Sequence, residues 1–205
     1  MAQAIYNEMI GKKSEEFLKK SEEGKELPKG WRVERLIDIC NVKYWKNLPR
    51  KKLIDNGKYP VYWASKVIGR YNEYNVKDRT IIVWCRGTVW EINITEPYSF
   101  VTNNSFIFDF KPEEKRFFYF QLKKRGFRDT IWWVAQPQIT LSSLEIVKVL
   151  VPSKDFLLKF HNIIDPFMQK MFNLQLQNQN LKQARDLLIP RLVTGKLNVE
   201  DLKIV

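Results

Sequence analysis

Phe160, Ile164, Phe167, Met171, Leu174, Asn178, Leu181, Arg185 and Leu188 follow one another at alternating intervals of four and three. Only a helix gathers such positions into one stripe, and a sustained seven-residue period asks for a second helix to cover it. The intervening residues Gln175, Gln177, Gln179 and Asn180 are too polar for a core. A single amphipathic helix packed on its own domain has the same spacing. The polar Asn178 and Arg185 within the stripe favour a partner helix, because polar seam residues lower stability while fixing register. The expected seam is therefore Ile164, Phe167, Met171, Leu174, Asn178, Leu181, Arg185 and Leu188. Asp165-Pro166 reads as an N-cap followed by a proline at the first helical position, which predicts a helix from there to about Pro190.

What precedes this stripe differs in charge and in aromatic content. Residues 1–26 hold five Lys and six acids, whereas residues 27–152 hold twenty-two Lys and Arg against twelve acids, a net of +10. All seven Trp and seven of the eight Tyr fall in that middle segment. A positive field steers a polyanion, and counterion release makes the attraction strong. The expected organisation is an N-terminal helical segment over 1–26, a basic domain over 27–152, and an assembly helix with its tail over 153–205.

Within the basic segment, short β-rich runs are predicted at Val61–Trp63, Thr80–Cys85, Val89–Ile94, Ser105–Phe110, Ile131–Val134 and Glu145–Val151. Asp55-Asn56-Gly57, Lys77-Asp78 and Arg86-Gly87 are turn signals between them. Arg86-Gly87 joins two β-branched and aromatic runs, which predicts a hairpin with an arginine at its tip. Pro112-Glu113-Glu114 opens a helix to about Arg125, with acids at the positive end of its dipole. Residues 4–23 carry a broken apolar stripe (Ile5, Met9, Phe17, Leu18) and read as another helix. The expected fold class is α+β: one mixed domain, a short N-terminal helix before it and a long coiled-coil-forming helix after it.

Several chemistries lack their residues. No two of the eight glycines are separated by a single residue, and Thr194-Gly195-Lys196 lacks the upstream glycine of a phosphate-binding loop. Neither Asn-Pro-Pro nor Asp-Pro-Pro, marks of amino-methyltransferases, occurs. His161 is the only histidine, and Cys40 and Cys85 stand far apart, so a zinc site has too few ligands and reduced buried thiols are expected. Asp78, Asp109 and Glu113-Glu114-Lys115 loosely resemble a magnesium-dependent nuclease cluster, but acids at a helix start complement the dipole without a metal. The apolar runs, such as Ile81 to Cys85, are too short to span a bilayer, and the opening residues lack a signal peptide's apolar stretch. A cytoplasmic protein is expected.

Seven blocks then follow in the order of a known family. Leu27-Pro28-Lys29-Gly30-Trp31 with Arg32-Val33-Glu34-Arg35-Leu36, then Tyr59 to Ser65, Ile68-Gly69-Arg70-Tyr71, and Ile82 to Thr88 are four. Phe100 to Ser105 comes next. Gln136-Pro137-Gln138-Ile139-Thr140 with Ser143-Leu144 and Val149 to Pro152 forms an exit, and Leu181 to Leu192 with Gly195-Lys196 a helix end. Together they resemble the target recognition domain and spacer helix of a type I restriction–modification specificity subunit. Two local departures are Val151-Pro152-Ser153-Lys154-Asp155 at the exit, and Trp90 where the family often has a glycine. A full subunit looks like two copies of domain plus helix, and this chain holds one. Its opening, Ala2 to Tyr6, resembles the tail of a preceding spacer, so a half-subunit or the second half of a longer chain is expected.

The resemblance implies a non-catalytic protein that reads one half of a bipartite site on double-stranded DNA and holds methyltransferase and restriction (translocase) subunits there. S-adenosylmethionine, magnesium and ATP would belong to those partners, leaving this chain without a cofactor. The helices of two copies, or of this chain and a second specificity half, would pair antiparallel. Residues 166–189 give about 36 Å of helix, so half-sites roughly 10 bp apart and a palindromic target are expected. For DNA contact, Lys43, Lys46, Arg50, Lys51 and Lys52 form a basic loop, and Lys123, Lys124, Arg125 and Arg128 a second phosphate edge. Arg86, with Thr88 beside it, suits a guanine, and Gln136 and Gln138 an adenine. The Trp residues are expected mostly in the core. A stand-alone nucleic-acid-binding module and the magnesium-dependent nuclease are the alternatives.

Overall fold

The computed structural model describes residues 1–45, 47–64, 66–86, 91–127 and 138–196. By internal contacts the chain divides into two compact units, Met1–Asn162 and Ile163–Val205. The first opens with α1 (Ala2–Tyr6), a π-helical turn (Asn7–Gly11) and α2 (Lys12–Glu22). Strand β1 (Arg32–Arg35), α3 (Leu36–Ile39) and β2 (Asn41–Tyr44) follow, and then a 3₁₀ turn (Arg50–Lys52). Strands β3 (Tyr59–Trp63), β4 (Lys66–Tyr71), β5 (Ile81–Trp84), β6 (Ile92–Ile94), β7 (Phe100–Val101) and β8 (Ser105–Asp109) lead into α4 (Pro112–Arg125). The described elements end with α5 (Leu141–Leu144), β9 (Lys148–Val151) and α6 (Lys154–Val193).

The strands form three small sheets: β2-β8-β5-β6, β4-β3-β7 and the pair β1-β9. All neighbours are antiparallel except β3 and β7, which run parallel. Val83 pairs with Ile92, and the Trp84 N–H donates to the Glu91 carbonyl at 3.1 Å, so β5 and β6 make the expected hairpin. The turn before β3 depends on Gly57: a Cβ there would lie 2.7 Å from the backbone of Arg70 and Tyr71.

Helix α4 occupies the centre of the first unit, and every residue from Lys115 to Leu122 is buried. Phe117 packs against Tyr6, Phe156 and Phe160 at ring separations of 5.7, 6.1 and 5.6 Å, and Phe118 stacks on Phe110 at 4.6 Å. Burying one such side chain contributes about 2 kcal/mol, and aromatic pairing adds roughly half as much. Two of the polar groups enclosed with them find carbonyls: Lys115 Nζ donates to that of Arg79 at 2.8 Å and Gln121 Nε2 to that of Leu150 at 3.1 Å. Desolvation holds the Lys115 ammonium below its ordinary pKa.

α4 runs over the residues its sequence predicts. It ends at Gly126, which sits at φ 66° and donates to the Leu122 carbonyl. Elsewhere the structure departs from expectation. The last helix does not start at Asp165-Pro166. It starts at Lys154, where Ser153 Oγ accepts from the Phe156 N–H at 3.3 Å, and it continues through Pro166 and Pro190 to Val193. Burial of Leu157 and Phe160 anchors the turns ahead of Pro166. Of the expected core tryptophans, Trp45 and Trp63 are exposed and Trp31 and Trp84 half-buried; phenylalanines fill the core instead. The strand expected at Ile131–Val134 lies outside the described residues, as do Val89 and Trp90 of the second hairpin run.

Within the second unit, Ile164, Met168 and Phe172 are buried, whereas Phe167, Met171, Leu174, Leu181 and Leu188 are exposed. Asn178 and Arg185 lie on the same exposed stretch. Ile164 is therefore not an open seam position. The remaining seam residues are uncovered in the single chain.

Candidate nucleic-acid interface

Three segments far apart in sequence meet at one end of the sheets. Tyr44 closes β2 opposite Phe106 of β8, their rings 5.4 Å apart. Trp84 at the end of β5 pairs with Ser105, and the next residue, Cys85, donates its N–H to the Asn104 carbonyl at 3.0 Å. Arg86 forms an isolated antiparallel bridge with Gln138, locked by the Ile139 N–H on the Cys85 carbonyl at 3.0 Å. Directly opposed residues of such a bridge project to the same face. Arg86 Nη2 donates to the Tyr44 hydroxyl at 2.7 Å. Tyr44, Cys85, Arg86, Phe106, Gln138 and Thr140 thus line a groove of about 230 Å³. Two expected base readers, Arg86 and Gln138, stand side by side in it.

A second concavity, of about 180 Å³, is lined by Asn47, Arg50, Trp63, Ile68, Thr102 and Asn104. The Arg50 guanidinium lies over the Trp63 ring, 4.6 Å from its centroid. β8 ties the two concavities together: Asn104 precedes it, and Ser105 Oγ donates to the Ala64 carbonyl, next to Trp63, at 3.0 Å. Lys51 and Lys52 continue the same 3₁₀ turn, both exposed. This end of the domain therefore presents exposed Tyr44, Trp45 and Trp63 among Arg50, Lys51, Lys52 and Arg86. Cation next to ring, in a shallow cleft, suits a planar or anionic ligand.

Other expected contacts are already engaged. Lys43 Nζ sits 2.9 Å from the Asp109 carboxylate, an exposed ion pair of little strength. Lys124 is tied to Glu15 at 2.9 Å and to the Gly11 carbonyl; its hydrogen bond holds the Glu15 carboxyl below its ordinary range. These contacts fasten the N-terminal helix to α4. Lys123 lies over the Tyr119 ring at 5.5 Å, and Arg125 Nη1 donates to the Gly126 carbonyl at 2.8 Å. Both sit in the last turn of α4, where cations complement the dipole. Lys46, Thr88, Arg128 and Gln136 lie outside the described residues. Tyr44, Trp63, Thr102 and Asn104 were not expected in the site; the Asn103-Asn104 turn ahead of an apolar strand was the one local signal for the last two.

Among the described residues, no three His, Cys, Asp or Glu side chains come together to hold a metal ion. Asp109 instead faces Lys43. Burial pushes the Cys40 and Cys85 thiols up to about 12 and about 11. No described helix is long and apolar enough to cross a membrane.

A mixed α/β domain with a long following helix is the fold of the DNA-specificity proteins of restriction systems. It matches the S subunit of a type I restriction–modification system from M. genitalium with a TM-score of 0.64 at 19% identity, over 79% of this chain and 45% of that one. The HsdS subunit from Thermoanaerobacter tengcongensis matches with a TM-score of 0.51 at 15% identity, over 85% and 47%. Residues 28–184 match the type I restriction modification DNA specificity domain, and the chain belongs to that family. The MjaIX type I restriction enzyme specificity subunit of Methanocaldococcus jannaschii is 31% identical over 93% of this chain and 50% of its own length. The HindI counterpart from Haemophilus influenzae is 24% identical over 83% and 42%. The chain thus spans about half the length of the curated relatives it matches.

Proposed function

We propose that this chain is a DNA-recognition half-subunit of a type I restriction–modification complex. It reads one half of a bipartite target on double-stranded DNA and performs no chemistry itself. The observation that carries this reading is the groove that sets Arg86 and Gln138 side by side, with Tyr44 holding the arginine. A guanidinium donates two hydrogen bonds to guanine, and a carboxamide pairs with adenine, so adjacent residues of these types serve adjacent bases. Arg50, Lys51 and Lys52 supply positive charge beside that groove. The exposed stripe Phe167, Met171, Leu174, Leu181 and Leu188 supports pairing with a second copy or a second recognition half, and with it the docking of methyltransferase and restriction subunits. S-adenosylmethionine, magnesium and ATP act in those partners, and the complex works in the cytoplasm.

The test is to co-express the chain with a type I methyltransferase subunit and map methylated adenines across the host DNA. A split motif whose preference at one position is relaxed by Arg86→Ala is the expected outcome. A stable complex with no new methylation overturns the half-subunit reading in favour of a fragment that needs its other half. Specific binding by the chain alone, with no complex formed, overturns it in favour of a stand-alone module.

A further inference from the structure

We infer that the concavity under Arg50 is a second base-reading subsite, for the edge of one nucleobase next to those facing Arg86 and Gln138. This inference rests on the reading above and assigns Arg50 a different role from the phosphate contact expected of a basic loop. Three observations carry it. The guanidinium lies over the Trp63 ring, 4.6 Å from its centroid, and both residues line the cleft, where a planar fork held against an aromatic ring is pre-organised for paired hydrogen bonds. A residue that only neutralises phosphate needs charge and reach, and its neighbours Lys51 and Lys52 supply both. The cleft of about 180 Å³ beside it is lined by Asn47 and Asn104, residues whose carboxamides are of the kind that pairs with base edges and add no charge to balance a phosphate.

The third observation is Thr102. It lines the same cleft, is 2% exposed, and its buried hydroxyl has no hydrogen-bond partner among the described residues. A buried hydroxyl without a partner is destabilising. Among the described side-chain atoms in that state, that of Thr102 belongs to a residue lining this cleft, where a ligand would supply the missing partner. Thr102 sits at the turn between β7 and β8, on the same end of the sheets as Arg86, and its N–H is anchored to the Tyr62 carbonyl at 3.0 Å. The subsite and the groove are thereby held in fixed relation by β8.

The experiment uses the full chain assembled with its methyltransferase partner and reads base preference at every position of the methylated motif. Arg50→Lys keeps the charge and removes the planar fork. Thr102→Val keeps the shape and removes the hydroxyl. Both are expected to lower discrimination at the same single position by about tenfold or more, with the salt dependence of binding unchanged. Thr102→Val is also expected to leave the melting temperature unchanged or higher, because it removes an unsatisfied group, so loss of selectivity cannot be ascribed to misfolding. If both variants keep the wild-type motif, or if Arg50→Lys lowers all sequences equally, the subsite is overturned and Arg50 is a phosphate contact. A wild-type chain with no base preference at all overturns the subsite and the DNA-recognition reading together.

Discussion

One terminal nitrogen of Arg86 is held by the Tyr44 hydroxyl across forty-two residues of sequence. A long side chain fixed in this way loses less entropy on binding, so under the proposed reading Tyr44 would sharpen the selectivity of Arg86. Arg86→Ala is expected to cost about 1–3 kcal/mol at one base and to relax preference there. Lys51→Ala should weaken all sequences alike and reduce the slope of affinity against salt by about one. Competition binding on a randomised oligonucleotide pool at two salt concentrations separates the two outcomes; equal loss on every sequence for both variants contradicts the division of labour. The buried thiols carry a second residue-scale prediction. Cys40 and Cys85 hold their protons in the folded chain up to about 12 and about 11, against an ordinary value of 9.0, and Tyr6 up to about 12 against 10.0. The unfolded chain releases these protons earlier, so stability is intact below pH 9 and falls as pH rises towards 11–12. Urea midpoints measured at pH 8 and pH 10.5 should therefore drop, and the thiols should resist alkylation at pH 8 until the chain unfolds.

At the scale of the element, Ser153 and the exposed stripe of α6 give the clearest tests. Ser153 caps the helix and Asp155 sits in its first turn, so Ser153→Ala should cost about 1 kcal/mol of stability in thermal or urea unfolding. The same substitution is neutral if the helix begins at Pro166. Leu174→Asp and Leu181→Asp alter side chains that are 49% and 67% exposed, so the recognition domain should keep its melting temperature while self-association is lost in sedimentation. How far elements were legible follows from what defines them. Helix α4 carries its own start signal in Pro112 and two glutamates, and its observed span, Pro112–Arg125, agrees with the expected end at about Arg125. Asp165-Pro166 carried punctuation of equal strength and misled, because the buried side chains of Leu157 and Phe160 hold the preceding turns helical and outweigh one missing hydrogen bond. Strands β2 and β4 gave no signal. Both are sheet edges, mostly exposed and without apolar alternation, and only ladder pairing with β8 and β3 makes them strands.

For the molecule as a whole, charge and symmetry decide what the target must look like. The excess of positive charge lies in the segment that also holds the aromatic groove, and the coiled-coil stripe lies beyond it. The hairpin arginine of that groove was visible in the sequence, but the Tyr44 and Gln138 beside it were brought there only by long-range pairing of β2 and of residue 86. Under the proposed reading, one recognition surface fills a two-part target by self-pairing or beside a second half. If two copies pair antiparallel, the same surface is presented twice, related by a two-fold axis, and the target is the same half-site written inverted. The exposed seam from Phe167 to Leu188 spans about 32 Å, close to one turn of duplex, which sets the half-sites roughly 10 bp apart. Methylation by a complex containing only this chain should then map to an inverted repeat of that spacing. The Leu174→Asp variant should lose both halves of the motif together, because pairing makes the second half's binding intramolecular and its loss removes that gain. An asymmetric motif from the same complex would mean that a second, different recognition half had been recruited.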